Sequence, residues 1–550
     1  MSLHRSEAPR RTLLEVGVIV TVAALVLPGC GSSEPDGSAS AAPAVHTANT
    51  ADADTADTAS PSAAPDAAVP GGSVTIGVDA DLIPANLFTN SNSSITTLIG
   101  LVYEPLIRYE VDELEPQPHL ATEWQVADDG LSIELTLREG VKFHTGREFT
   151  SKDVEFSFLS AWGDVQKWRP QQGRSFQAVT SVDTSDPYKA VLHLEHPLSN
   201  LFDILDTAYI VDSETFDDFE AGTGFVGTGP FAFVSWTPNT ELLFERNPDY
   251  WVPERPYLDE VRVAVVTDAN TRLAQLKSGA LDLGRNLTFR DVESLSSDSD
   301  YSVIDLVGAE LQIYVGATLE VPALADIRLR QAIAYALDRE RIISEVFRDS
   351  GYPINLPWPK HSVAYDETRN SAYTYDPEKA KALVAEIGTI PEFPLTFVGA
   401  NPVYAATAQI VQANLADVGI PVQLDPVDGA NFVSQLIGAE FEGLWTTYHS
   451  WAQHTPSTLT VSAYPFNANS NASHYIDEEY QKSSDDAWQV PDGTSPEAIA
   501  AYTRISDNLL DALFLIEIGV VLDQWVTGSD IDGVWYTRRM EPDLTNAHLG

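Results

Sequence analysis

The chain is expected to fold as an α/β protein, and three stretches carry that expectation. In LSIELTLREGVKFHTG, Ile133, Leu135 and Leu137 recur at period two and Gly140 follows as a turn, the pattern of a half-buried strand. In YDPEKAKALVAEIG, Asp376 can cap, Pro377 suits the first helical turn, Ala380, Leu383, Val384 and Ile387 form one apolar stripe, and Gly388 ends the helix. Tyr404 to Val418 reads as a helix stopped by Gly419, with Ile420 to Leu424 as the next strand, so helices and strands alternate. No fixed-period internal repeat is visible.

Taken in order, the chain begins with the basic residues Arg5, Arg10 and Arg11, followed by the uncharged apolar run Val16 to Leu27. Twelve residues suit a signal-peptide core, whereas a membrane span needs roughly 20. The run ends in Leu27-Pro28-Gly29-Cys30, which resembles the bacterial lipobox, where the cysteine is acylated and becomes the mature amino terminus. Cys30 is the only cysteine in the chain, so a disulfide within it is impossible. Pro28 stands where a small residue is usual and Glu15 borders the apolar core; a cleaved secretory signal with an incidental cysteine is the other reading. PRRTLL, Pro9 to Leu14, also resembles a twin-arginine export signal.

Gly31 to Pro70 contains no aromatic residue, no Leu, Ile, Lys or Arg, and cannot offset its ordering entropy by apolar burial. It reads as a solvated tether with a reach on the order of 35 Å for about 40 residues. About 480 residues then remain, enough for two or more lobes, and no later stretch is apolar enough to span a membrane. The formal charge is −48, from 80 acidic and 32 basic residues, which repels nucleic acid and anionic lipid. A solvated acidic shell is the plain reading of this charge; attraction of cationic solutes is the other. Within the body, DIRLRQAIAYALDRERIISEVFRDSGYP places Leu329, Ala332, Ile333, Ala336 and Leu337 on one helical stripe, with stop signals at Gly351 and Pro353.

Three apparent catalytic or metal signals weaken in context. GTGFVG, Gly222 to Gly227, matches a dinucleotide-binding pattern, but Pro230 and the aromatic run Phe231, Phe233, Trp236 follow where a helix amino terminus is needed to hold pyrophosphate. His193 and His196 sit three apart in an expected strand and point to opposite faces. His449 and His454, in YHSWAQH, lie in an aromatic stretch of the kind that lines pockets, with a metal site as the less favoured reading. No nucleophile elbow, P-loop or zinc-protease motif is present, so neither an enzyme nor a cofactor is expected.

LATEWQVADDGLSIELTLREGVKFHTGREFTSKDVEFSF (Leu120 to Phe158), GTGPFAFVSWTPNTELLFERNPDYW (Gly227 to Trp251) and IRLRQAIAYALDRERII (Ile327 to Ile343) resemble, in wording, order and spacing, the family 5 solute-binding proteins of ABC importers, the oligopeptide, dipeptide and nickel group. The resemblance covers nearly everything from Gly71 onward. It implies a two-lobed periplasmic-binding-protein-like fold (type II, cluster C-like) with an extra α/β subdomain. By that analogy lobe I comprises 71–100, 209–306 and 515–550, the accessory subdomain 101–208 and lobe II 307–514, after a signal peptide (1–30) and a tether (31–70). The chain would cross between lobes near Val307 and near Phe514. The resemblance further implies a monomer that passes a small solute, of the oligopeptide or oligosaccharide class, to an ABC permease and ATPase. It would sit, lipid-anchored, on the outer face of the cytoplasmic membrane, or in a periplasm where one exists. A ligand sensor or surface-interaction lipoprotein that keeps the fold is the alternative.

Peptide-binding relatives usually carry an Asp a few residues before a proline, in a W-x-x-D-like stretch, to pair the peptide ammonium group; some carry an Arg upstream. The matching stretch here is FEGLWTTYHSWAQHTP, Phe441 to Pro456. Depending on the anchor of the count, Ala452, Trp451 or His454 takes the Asp position and Trp445 the Arg position; none is acidic. One reading is a pocket with aromatic faces and few fixed charges, suited to neutral or ring-bearing ligands. The other is that Trp445 and Tyr448 belong to a buried strand and face the core. Trp445, Tyr448, Trp451, His454, Trp358 and Asn90 are the candidate ligand contacts. A free peptide ammonium entering such a pocket would lose hydration without a charged partner, so unblocked short peptides are expected to bind weakly.

Overall fold

The computed structural model describes residue 68 and residues 70–550, except 85–86, 88–91, 112–113 and 165–171. The signal segment, Cys30, most of the tether and Asn90 lie outside the described residues. Two large sheets make the two lobes. The first is seven-stranded, in the order Tyr301–Asp305, Gln524–Gly528, Leu283–Gly284, Ser73–Val78, Glu260–Val265, Glu241–Arg246, Phe231–Thr237. Ser73–Val78 runs parallel to both its neighbours, and Val74, Ile76 and Val78 are fully buried.

The second sheet is six-stranded, in the order Gly351–Pro353, Leu515–Val521, Leu311–Ala317, Leu444–His449, Phe393–Val398, Val422–Val427. Its strands Leu311–Ala317 and Leu515–Val521 are buried at every position, as a sheet covered on both faces requires. One face meets the helices Arg339–Phe347 and Pro402–Asp417. Under the other, Tyr314, Trp445 and Leu515 share an apolar cluster with Leu459, Tyr480, Tyr502 and Leu509 from the helices Pro456–Ser462, Glu478–Trp488 and Pro496–Ala512. A four-stranded antiparallel sheet, in the order Ala121–Val126, Ser132–Leu137, Lys189–Leu194, Val179–Asp186, forms the extra subdomain.

Local chemistry explains where these elements start and stop. Ile133, Leu135 and Leu137 point inward from Ser132–Leu137, as their spacing predicts. Asp376 caps the helix Pro377–Ile387 by accepting from the Lys379 amide at 2.9 Å, and Gly388 closes it at φ 89°. The single helix expected between Asp326 and the stop signals at Gly351 and Pro353 is two. Leu337 turns extended (φ −73°, ψ 113°), and Asp338 caps a new helix, Arg339–Phe347, by accepting from the Arg341 amide at 3.1 Å. An acidic side chain offering its own cap competes with helix continuation, and here it wins. Gly222 ends the helix Phe216–Ala221 in the left-handed region and the Phe231–Thr237 strand comes next, the reverse of the strand-to-helix order of a phosphate loop.

The chain passes between the two large sheets through residues 306–310 and again through Leu522 and Asp523. The second crossing was expected near Phe514. Leu515–Val521 instead pairs with Leu311–Ala317 on one side and Gly351–Pro353 on the other, so the chain leaves lobe II only after Val521. The crossings are braced against each other. The Leu306 amide donates to the Asp523 carbonyl (3.0 Å), Gln524 Nε2 to Asp305 Oδ1 (2.7 Å), and Tyr536 Oη to the carbonyls of Asp305 and Val307 (3.0 Å each).

Candidate functional site

Ligands of open α/β sheets collect beyond the carboxyl ends of parallel strands, and here those ends meet at the crossings. Asp79 directly follows Ser73–Val78, Arg285 follows Leu283–Gly284, and Asp523 occupies the second crossing. Arg285 is buried, and its guanidinium is spent on neutral acceptors. Nη1 donates to the Ser93 carbonyl (2.9 Å) and Thr97 Oγ1 (2.5 Å), Nη2 to Thr96 Oγ1 (3.0 Å) and the Met540 carbonyl (2.8 Å). The Trp525 ring lies 4.7 Å from its central carbon. Burial pulls the Arg285 pKa down to about 10, against the opposing pull of Asp523 and Asp79. Asp79 Oδ1 accepts from Ser93 Oγ at 2.6 Å, and Asp523 Oδ1 accepts from the Gln524 amide at 2.9 Å. Burial, with Asp79 adding to it and Arg285 opposing, pushes the Asp523 carboxyl up to about 6.

Across from these groups, the lobe II strand Leu444–His449 presents Tyr448, half-buried and stacked on Tyr404 (5.8 Å between centroids, 28° between planes). Burial, and then Asp79 and Asp523, raise the Tyr448 phenol to about 12, which puts its ring within the field of both carboxylates. A second group stands beside the first crossing. Arg538 Nη1 donates to the Gln453 carbonyl and Gln453 Nε2 to the Arg538 carbonyl, both at 2.7 Å, while Arg538 Nε donates to the Glu110 carbonyl at 2.9 Å. Glu310 Oε1 lies 3.8 Å from His361 Nδ1. Burial, and then Arg538 and Arg539, hold the His454 imidazole down to about 3, so it is neutral. Trp451 is half-buried, with the Arg539 guanidinium 6.0 Å from its ring centroid.

The sequence candidates divide accordingly. Tyr448 stands at the junction with part of its ring exposed, while half-buried Trp451 stands in the second group beside Arg539, with His454 buried next to it (5.9 Å between centroids). Trp445 and Trp358 do not line the junction, which corrects the expectation for both. Trp445 is fully buried, stacked on Phe441 (4.4 Å, 11°) over Gly316, where a Cβ would come within 2.2 Å of its ring. Period-two alternation puts it on the opposite face of its strand from Tyr448. Trp358 is fully buried with its indole donating to Ser506 Oγ at 2.9 Å. The expectation of few fixed charges also fails for the junction as a whole. Asp79, Arg285, Asp523 and Glu310 were missed because no local motif marks them; each adjoins a strand end, the only signal they carry.

The match to the family described as bacterial extracellular solute-binding proteins, family 5, spans residues 115–471. The chain is 27% identical over 403 residues to a probable di/tripeptide-binding protein 5 of Pseudomonas aeruginosa, covering 68% of this chain and 74% of that one. It is 26% identical over 394 residues to the oligopeptide-binding protein AppA of Bacillus subtilis, covering 66% and 71%. The solved structure of Bacillus subtilis AppA in complex with a nonapeptide superposes with a TM-score of 0.78 at 22% identity, over 88% of this chain and 100% of that one. With more than half of its length inside the family match, two lobes joined by two braced crossings and an extra subdomain, the chain belongs to the family 5 bacterial extracellular solute-binding proteins.

Proposed function

We propose that the protein is the solute receptor of an ABC importer, not an enzyme, and that it encloses a small peptide-like solute between its lobes before handing it to a membrane permease. The observation that carries this reading is the gathering of Asp79, Arg285, Asp523, Tyr404 and Tyr448 where the crossings join the two sheets. Closure about braced crossings would exclude water from these groups and strengthen each polar contact to the solute, while no bond in the solute need break. Relatives named for peptides support the solute class. Acylation of Cys30, with the tether beyond it, would hold the receptor outside the membrane.

The test begins with native protein, denatured to release what co-purifies. Mass spectrometry should identify one small solute, calorimetry should show it rebinding, and Trp451→Ala should weaken rebinding by roughly 2 kcal/mol. Absence of any released or rebinding solute would overturn the receptor reading. In cells, Cys30→Ser should release the protein into the medium; its retention at the membrane would overturn the anchor.

A further inference from the structure

The central strands of the second sheet carry a row of buried polar side chains whose hydrogen-bonding capacity the protein does not use. Gln312 lies opposite His449 in register and Tyr314 opposite Glu517, so all four share one face of the sheet, the face that carries Trp445 and is turned away from Tyr448. Glu310, two residues before Gln312, stands at the crossing end of the row. Their exposures are 7% for Glu310, 0% for Gln312, 5% for His449 and 2% for Glu517. Yet Glu310 Oε2, both amide atoms of Gln312, His449 Nδ1 and Glu517 Oε2 make no hydrogen bond within the protein. Buried polar atoms are almost always paired, and each one left without a partner is costly, so a row of them marks a place built for something else to bind.

The chemistry of the row is one-sided. His449 Nε2 faces Glu517 Oε1 at 3.4 Å, a contact in which Nε2 donates; in the neutral ring Nδ1 is then an acceptor. Glu310 Oε2, Gln312 Oε1, His449 Nδ1 and Glu517 Oε2 are then acceptors, Gln312 Nε2 is a donor, and the Tyr314 hydroxyl, also without a partner, can donate or accept. Among the described residues no Lys or Arg comes within ion-pair distance of the Glu517 carboxylate; Arg339 donates only to its main-chain carbonyl (2.8 Å). Arg538 serves the outer end, where its charge and that of Glu310 attract each other. Phe466 flanks the inner end, 4.8 Å from the His449 ring and 6.2 Å from Tyr314.

We infer that this row is a subsite within lobe II for a donor-rich cationic group of the solute, an ammonium or guanidinium, which enters past Glu310 and ends against Gln312, His449 and Glu517. A guanidinium brings five N–H donors and an ammonium three, with no acceptor on either, the complement of the row. A hydroxyl brings one donor together with an acceptor and matches it less well. The inference rests on the reading of the interlobe junction as the solute site, and it adds the charge that the solute carries. The same chemistry comes from a basic side chain of a peptide or from a free guanidino compound.

The test is calorimetry at neutral pH on the full protein with Ala-Arg-Ala, Ala-Lys-Ala, Ala-citrulline-Ala, Ala-norleucine-Ala and free agmatine. Ala-Arg-Ala should bind at least about tenfold more tightly than its neutral near-isostere Ala-citrulline-Ala. Glu517→Gln, and separately Glu310→Gln at the rim, should shrink that ratio to about twofold or less, with melting curves confirming that each variant is folded. Tight agmatine binding without peptide preference would assign the group to a free guanidino compound; peptide preference would assign it to a side chain. Equal binding of the arginine and citrulline peptides, a ratio that survives both substitutions, or no binding by any probe would overturn the inference and leave the row to ordered water. Failure of the receptor reading shows separately, as the absence of any co-purified solute that rebinds.

Discussion

Asp523 sits within a crossing and also faces the junction with Arg285, Asp79 and Tyr448. Its carboxyl is raised from an ordinary value near 4 to about 6. For an acid with a raised folded-state pKa, the native state keeps the proton that the unfolded chain loses. The contribution of Asp523 to stability is therefore present below about pH 4 and is lost as pH rises toward 6, after which it is constant. Asp523→Asn keeps the acceptor for the Gln524 amide and removes the charge. Thermal melts of the two proteins from pH 4 to 8 should show the variant gaining on the wild type between pH 4 and 6 and levelling above it, by up to roughly 3 kcal/mol. A difference that does not change with pH would contradict the burial of this charge. The sequence held no warning of it, because a lone Asp between two apolar runs reads as an ordinary loop residue.

At the scale of elements, the regular pieces were readable and their junctions were not. The Ser132–Leu137 strand and the Pro377–Ile387 helix follow from period and caps, which are local. The split at Leu337 depends on Asp338 competing as a cap, and the lobe membership of Leu515–Val521 depends on pairing with a strand about 200 residues away, which no local pattern records. Trp445 and Tyr448 lie three residues apart in one strand of aromatic composition; only strand alternation and the glycine opposite separate core from junction. That glycine yields a test. Gly316→Ala would drive a Cβ into the Trp445 ring, and with Phe441 stacked on that ring there is little room to yield, so a loss of about 1–3 kcal/mol is expected in denaturant unfolding. An unchanged midpoint would mean that the Trp445 layer is loose, and would return Trp445 to the list of possible ligand contacts.

Across the whole molecule, the lobes and the extra subdomain are tied at several points around the loop that carries Trp451 and His454. Buried Asp203 of the extra subdomain accepts from Tyr109 Oη (2.8 Å), from the Thr455 amide (3.1 Å) and hydroxyl (3.0 Å), and from Thr458 Oγ1 (2.5 Å). Gln453 and Arg538 exchange bonds beside it, and Arg174 pairs with Asp485 at 2.7 Å. These contacts join segments far apart in the sequence across the line where the lobes would part, as expected of a receptor described with its lobes together. Such a body opens only by giving them up, and a solute bridging the same groups would restore the closed form. Closure of the two lobes on a small solute is tested by small-angle X-ray scattering of solute-free protein before and after saturation with the solute released from native preparations. The radius of gyration should fall with solute bound; an unchanged profile at saturation would rule out closure of the lobes.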